Sequence, residues 1–410
     1  MALVYENAHL VIAATTARDS SGGCFSTRRS PCLFYQHTTS ADITISFYLR
    51  EESKSHKYFA KQWFCTVPSL YDKLLTRSWA LQERLLATRI VHFVGDDLVW
   101  QCRKQTSCEC NALRSHPGVL KIGWNKELED RDSYLESQRF LWNRIIRHYM
   151  TLKITKVSDE LPALSGLAKK FQAAGAGDYL AGLWRETILA DLLWTVCEGK
   201  RAEKWQAPSW SWASLEKEGG GLICPYGFDS SDRLDCRHLR PGDPSATSHK
   251  SGVFGSTLLK TQCEPAGEDS TGNVKQPASL TISTPLIEVM GQFTEPELSS
   301  CIGLNITISR NGQVLIFDVD CEEDFEEYEG ESFPLVCAWI GTEWHDSKYL
   351  PQIMVLRNSL GICGASSTPN AFERVGVIDD WNGWDQEEAE RTAIIADWFS
   401  DSQVTTITIV

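Results

Sequence analysis

Cys102, Cys108 and Cys110, followed by His116, are soft donors of the kind that hold zinc. Their Cys-x5-Cys-x-Cys spacing lacks the paired short knuckles of structural zinc sites, so the sequence alone assigns no metal. Glu322-Glu323-Asp324 with Glu326, Glu327, Glu329 and Glu331 offers hard oxygen donors. It has neither the alternating ligands nor the central glycine of a calcium loop, and it reads as a solvated acidic loop. Cys24 after Gly22-Gly23, with His92 as a base, has the residue types of a nucleophilic pair, but no nucleophile-elbow spacing accompanies them. Glu83, in Gln82-Glu83-Arg84, has two readings: a general acid or base, or a structural ion pair with a nearby arginine while Trp79 and Leu86 face the core. Trp210 and Trp212 alternate with Ser209 and Ser211, which on a strand puts both indoles on one face. Packing is favoured there over an aromatic-lined ligand site. No glycine-rich phosphate loop of either common type occurs, so the motifs give no cofactor.

These residues need elements to hold them. Pro68 and Asp72 precede a run from Leu74 to Leu86 in which Leu75, Trp79, Gln82 and Leu86 recur at helical spacing. Arg89 to Phe93 and Leu98 to Cys102 are β-rich and are joined by Gly95-Asp96-Asp97, which predicts helix, strand, turn, strand. Upstream, Val4 to Ala14 reads as a helix end running into a buried strand that meets the turn residues Asp19 to Gly23. A buried strand there should have neighbours on both sides.

Residues 133 to 200 read as helical. Leu141, Trp142, Ile145, Ile146 and Tyr149 form one apolar stripe, and Leu180, Leu183, Trp184, Ile188 and Leu192 form another. Ser158 before Asp159-Glu160 and Pro162 predicts a helix start. Residues 226 to 278 are rich in Gly, Ser, Asp and Pro and read as a mobile loop or insertion. Apolar runs at Leu280–Ile282, Leu304–Ile308, Val314–Phe317, Leu335–Ile340 and Ile353–Leu356 then predict a β meander, with Asn311-Gly312 as a hairpin turn. The fold class is α+β, a mixed chain in three regions: 1–115 (an α/β domain), 116–205 (helical) and 206–410 (mainly β).

A chain of 410 residues, 42% hydrophobic, can bury a substantial core. The 40 basic and 54 acidic residues leave a net charge of −14, and no basic run is longer than a pair such as Arg28-Arg29, which argues against nucleic acid as a partner. No stretch has the roughly 20 apolar residues of a membrane helix, and no signal peptide is expected. The 14 cysteines are scattered rather than framed as in small secreted domains, so they read as reduced thiols. The 15 tryptophans lie mostly within apolar-periodic segments, where they read as core volume.

Arg77 to Arg84, followed by the strand Arg89-Ile90-Val91-His92-Phe93, resembles a central motif of fungal heterokaryon-incompatibility (HET) domains. Val4 to Cys24 is similar to another block of that domain: a Val-Tyr-x-x-Ala helix end, an apolar strand and a Ser/Gly-rich turn. Asp159 to Ala168, Tyr179 to Arg185, Ala207 to Ser214 and Phe372 to Val377 resemble downstream regions of HET proteins. The resemblance thus covers nearly the whole chain, with gaps at variable loops. HET domains ordinarily carry an earlier portion with an aspartate-x-leucine-cysteine motif. Its absence here leads us to expect a chain that begins inside the domain.

The resemblance implies an α/β domain distantly similar to TIR domains. The function it implies is cytoplasmic self/non-self signalling linked to programmed cell death, carried out through protein partners or self-association. Arg77, Trp79, Gln82, Arg84 and His92 become motif or binding candidates, with Trp210 and Trp212 from the downstream block. Some TIR domains cleave NAD with a glutamate, so Glu83 is the catalytic candidate and NAD the cofactor by analogy. A family member recruited to small-molecule metabolism and a non-catalytic scaffold or regulator remain as alternatives.

Overall fold

The computed structural model describes residues 2–26, 32–40, 42–49, 55–60, 71–95, 97–113, 135–196, 199–216, 253–294, 305–328, 330–345, 348–359, 370–378 and 387–410. The fold is mixed α and β, and the chain divides into two compact units, Met1–Asp132 and Ser133–Val410. The helical middle and the β region therefore share one unit, where the sequence reading separated them at residue 205.

The first unit contains helix α1 (Ala2–Asn7), strand β1 (Val11–Ala13), a hairpin of β2 (Cys32–Thr38) and β3 (Thr44–Leu49), helices α2 (Ser55–Ala60) and α3 (Ser78–Leu86), and strands β4 (Arg89–Val94), β5 (Asp97–Cys102) and β6 (Thr106–Cys108). Four strands pair in the order β1-β4-β5-β6, parallel at β1–β4 and antiparallel elsewhere. Buried and less buried residues alternate along β4 and β5, as period-two side-chain placement requires when one face of a sheet is covered. The hairpin between them closes through Gly95, whose φ of +68° is costly for any residue with a Cβ. Helix, strand, turn, strand is thus found where the periodicity predicts it. The opening strand is not the buried one expected. Only Ala13 is buried, Ile12 is 63% exposed, and β1 pairs with β4 alone among the described residues.

In the second unit, helix α4 (Leu135–Met150) buries Leu141, Trp142, Ile145, Ile146 and Tyr149 along one stripe, as predicted. The second stripe is not one helix. Leu180 and Leu183 lie in two short paired strands, β7 (Tyr179–Leu180) and β8 (Leu183–Trp184), and Ile188 begins helix α6 (Ile188–Asp191). The break is the turn Ala181-Gly182, where both residues have positive φ. A Cβ on Gly182 would also lie 2.7 Å from the Trp212 indole. Helix α5 (Ser165–Ala173) starts after two short 3-10 turns, so Ser158 is not its cap; instead Ser165 donates to Asp269 at 2.6 Å. Trp210 and Trp212 form no alternating strand. They flank Ser211, whose hydroxyl caps the 3-10 turn Trp212–Ser214 by accepting from the Ala213 amide, and both indoles are fully buried.

Among the described residues, the rest of this unit is a ten-stranded sheet and a helix, α7 (Glu387–Trp398). The sheet contains β11 (Val253–Phe254), β12 (Thr257–Gln262), β13 (Ser279–Thr294), β14 (Asn305–Arg310), β15 (Gln313–Ile316), β16 (Asp318–Val319), β17 (Phe333–His345), β18 (Lys348–Asn358), β19 (Ala371–Ile378) and β20 (Gln403–Ile409). Two short strands, β9 (Lys200–Arg201) and β10 (Leu215–Glu216), pair separately. Along its 16 residues, β13 meets β20 with one half and β17 with the other, closing β13-β17-β18-β19-β20 into a ring. Asn311 and Gly312 both have positive φ at the predicted hairpin. Of the segment read as a mobile loop, 226–252 lies outside the described residues. Residues 253–278 are built into the fold: β12 pairs with β13, and Thr271 is fully buried against Ser165. The acidic run begins as a 3-10 segment, Glu322–Tyr328, with Phe325 buried and Asp324 turned toward Arg201 at 3.1 Å.

Arg374 is fully buried. Its guanidinium pairs with Asp320, donates to the carbonyl of Leu192 at 2.9 Å and to that of Trp194, and stacks 3.6 Å above the Trp194 ring. Burial pulls its pKa below the ordinary value, against the opposing pull of Asp320. Replacing Arg374 with Met keeps the bulk but strands these buried acceptors. The expected cost is about 3–5 kcal/mol, as for other broken buried pairs, measured as a lowered urea midpoint; a loss below about 1 kcal/mol would contradict this role.

Candidate functional site

The Arg77–Arg84 motif forms α3 and its entry. Arg77 stands at the N-cap without making a side-chain cap bond and is exposed. Gln82 and Arg84 are buried, and Arg84 donates to the Tyr58 hydroxyl at 2.8 Å. Trp79 is only half-buried, so the inward face of the helix is completed by Leu81 and Leu85 beside Leu86 rather than by the indole. Glu83 sits at the boundary with solvent and accepts a hydrogen bond from the Tyr5 hydroxyl of α1. Burial raises the Glu83 pKa, with the Tyr5 bond and the positive charge of Arg77 pulling it down. Burial and the facing carboxylate push Tyr5 up to about 12. His92 is buried on β4; its Nδ1 lies 3.0 Å from the Thr15 hydroxyl and its ring 4.9 Å from that of Phe59. It therefore ties β4 to the segment after β1. Trp210 and Trp212 belong to the second unit, where they are packing: the Trp212 indole donates to Gly182 and the Trp210 carbonyl accepts from Trp194.

A second constellation lies in the first unit. His56 comes from α2, Asp97 opens β5, Cys108 ends β6, and Cys110 follows two residues later. One donor atom from each lies within 4.8 Å of all the others. Asp97 is oriented by the Leu98 amide, which donates to Oδ1 at 2.9 Å, while Oδ2 lies 2.8 Å from His56 Nε2. The Cys108 and Cys110 sulfurs are 3.1 Å apart, and Cys110 Sγ is 3.7 Å from His56 Nε2. Backbone amides point at both sulfurs: Leu113 donates to Cys108 at 3.1 Å, and Ala112 donates to Cys110. Partial desolvation and then the neighbouring Asp97 carboxylate push the thiol of Cys110, an exposed residue, up to about 12.

Sequence reasoning found half of this set. Cys108 and Cys110 were singled out with Cys102, which is not a member, and with His116, which lies outside the described residues. His56 and Asp97 were missed. His56 is 54 positions from Cys110, and only the fold brings the two together. The local signal was the Cys-x-Cys pair alone. Compared with protein-family models, curated proteins and solved structures, the chain matches none.

The raised pKa of Glu83 means that ionising it in the folded chain costs stability. That stability is present below the ordinary carboxylate value of 4.5 and is lost as pH rises through the folded pKa. Glu83→Gln can still accept from Tyr5 but carries no charge. The variant is expected to melt above the parent chain at about pH 7 and to lose that advantage near pH 4. Thermal melts showing no pH-dependent difference between the two would rule this out.

Proposed function

We propose that this chain is a HET-type signalling module of fungal self/non-self recognition, which acts in the cytoplasm through protein partners or copies of itself to trigger programmed cell death. The observation that carries this reading is the meeting of the two blocks on which the resemblance rests. The Val4–Cys24 block supplies Tyr5 to Glu83 and Thr15 to His92, and its strand runs parallel to β4, with Val11 opposite Ile90. Residues that recur together in a motif have a physical reason to do so when they touch. The net charge of −14 and the lack of basic runs favour protein partners over nucleic acid.

A second reading, TIR-like cleavage of NAD by Glu83, draws support from the raised pKa of that carboxylate. The Tyr5 hydroxyl already engages Glu83, which favours the structural role. Expression in a filamentous fungus is expected to arrest growth and kill cells, and Glu83→Gln should leave the killing intact. Healthy cells that accumulate the protein would overturn the signalling reading. Nicotinamide release from NAD by the purified chain, lost in Glu83→Gln, would establish the enzymatic one instead.

A further inference from the structure

We infer that His56, Asp97, Cys108 and Cys110 form a structural zinc site that clasps α2 to the end of the small sheet. The inference is independent of the signalling proposal, because it concerns how the first unit is held together.

Donor chemistry selects the ion. Two thiolates with an imidazole and a carboxylate suit zinc, whereas calcium and magnesium take oxygen ligands only. The separations are close to those of a tetrahedron. With Zn–S near 2.3 Å and Zn–N and Zn–O near 2.0 Å, ligand atoms should lie about 3.7 Å apart for sulfur–sulfur, about 3.5 Å for sulfur–nitrogen and about 3.3 Å for nitrogen–oxygen. The corresponding distances are 3.1, 3.7 and 2.8 Å. An ion therefore needs the thiols and the His56–Asp97 pair to part by roughly half an ångström each, within the reach of side-chain rotation.

Surroundings of the donors point the same way. The Leu113 amide donates to Cys108 Sγ at 3.1 Å, a contact that strengthens when the sulfur ionises to bind a metal. Asp97 is held through its other oxygen by the Leu98 amide, so the carboxylate is oriented before any ion arrives. Four protein donors fill a tetrahedral shell and leave no open position for water, which makes the site structural rather than catalytic.

The test uses the full chain, purified under reducing conditions without chelator. Elemental analysis should find about one zinc per chain. After the zinc is stripped, added Co(II) should give the visible bands of tetrahedral cobalt together with a thiolate-to-metal charge-transfer band. Both signals should vanish in Cys108→Ser/Cys110→Ser and persist in Cys102→Ser. Because unfolding for any other reason would also silence the double variant, the reduced parent chain decides on its own: no thiolate–cobalt band with it overturns the proposal. A band that survives in the double variant overturns it equally, since the metal then sits elsewhere.

Discussion

Taking a charged or polar group out of water demands a partner inside the protein, and in this chain such partners decide which distant segments meet. Arg374 carries the heaviest case. Its guanidinium reaches Asp320 and the carbonyls of Leu192 and Trp194, so the ring strand β19 is tied to the segment after α6 and to the start of the acidic 3-10 turn. Arg201 extends the network to Asp324, Ser214 and the Arg374 carbonyl. Apolar burial supplies the driving force for this unit, through Ile353, Val355, Phe333, Trp398 and their neighbours. It is non-directional, however, and the polar contacts set the register in which that burial occurs.

The same constraint orders the first unit on a smaller scale. Arg84 reaches Tyr58, Ser55 donates to Asp72 at 2.5 Å, His92 meets Thr15, and His56 meets Asp97. Each pair joins segments that local sequence cannot connect. The resemblance motif supplies Arg84 and His92, yet their partners Tyr58 and Thr15 attract no attention in the sequence. A motif read along the chain thus shows one side of each contact.

Legibility followed the same line. The α3-β4-β5 succession was readable because periodicity is a local property, and the Asn311-Gly312 turn because two positive φ values in a row leave few residue choices. The stripe from Leu180 to Leu192 has helical spacing, but Gly182 admits a turn that a helix cannot, and burial on every side makes period a poor guide there. Trp210 and Trp212 misled for the same reason, since alternation says little when the intervening Ser211 is as buried as its neighbours. Residues 253–278 looked like loop because β12 is mostly exposed and polar, its strand character coming from pairing with β13. The Cys-x-Cys pair was visible as a pair, while its histidine and aspartate belonged to elements that only tertiary structure aligns.

The two units also differ in how much core they own. The second has a large apolar cluster drawn from β13, β14, β15, β17, β18, β19 and the helix Glu387–Trp398. The described part of the first divides into a patch of Tyr58, Phe59, Leu75, Val94, Val99, Cys108 and Leu113 and a smaller one around Ala13, Ala87 and Ile90. Helix α2 has six residues, too few to persist without tertiary anchors, because an isolated helix needs about 12–15 residues even to be marginal. Tyr58 and Phe59 bury one side of it, and His56 fastens it at its N-terminal end to the His56-Asp97-Cys108-Cys110 group. Thin cores elsewhere are commonly reinforced by metals or disulfides. Here one of the two cysteines of that group, Cys108, is also a member of the larger patch, so the polar clasp and the apolar packing share a residue and act on the same short helix.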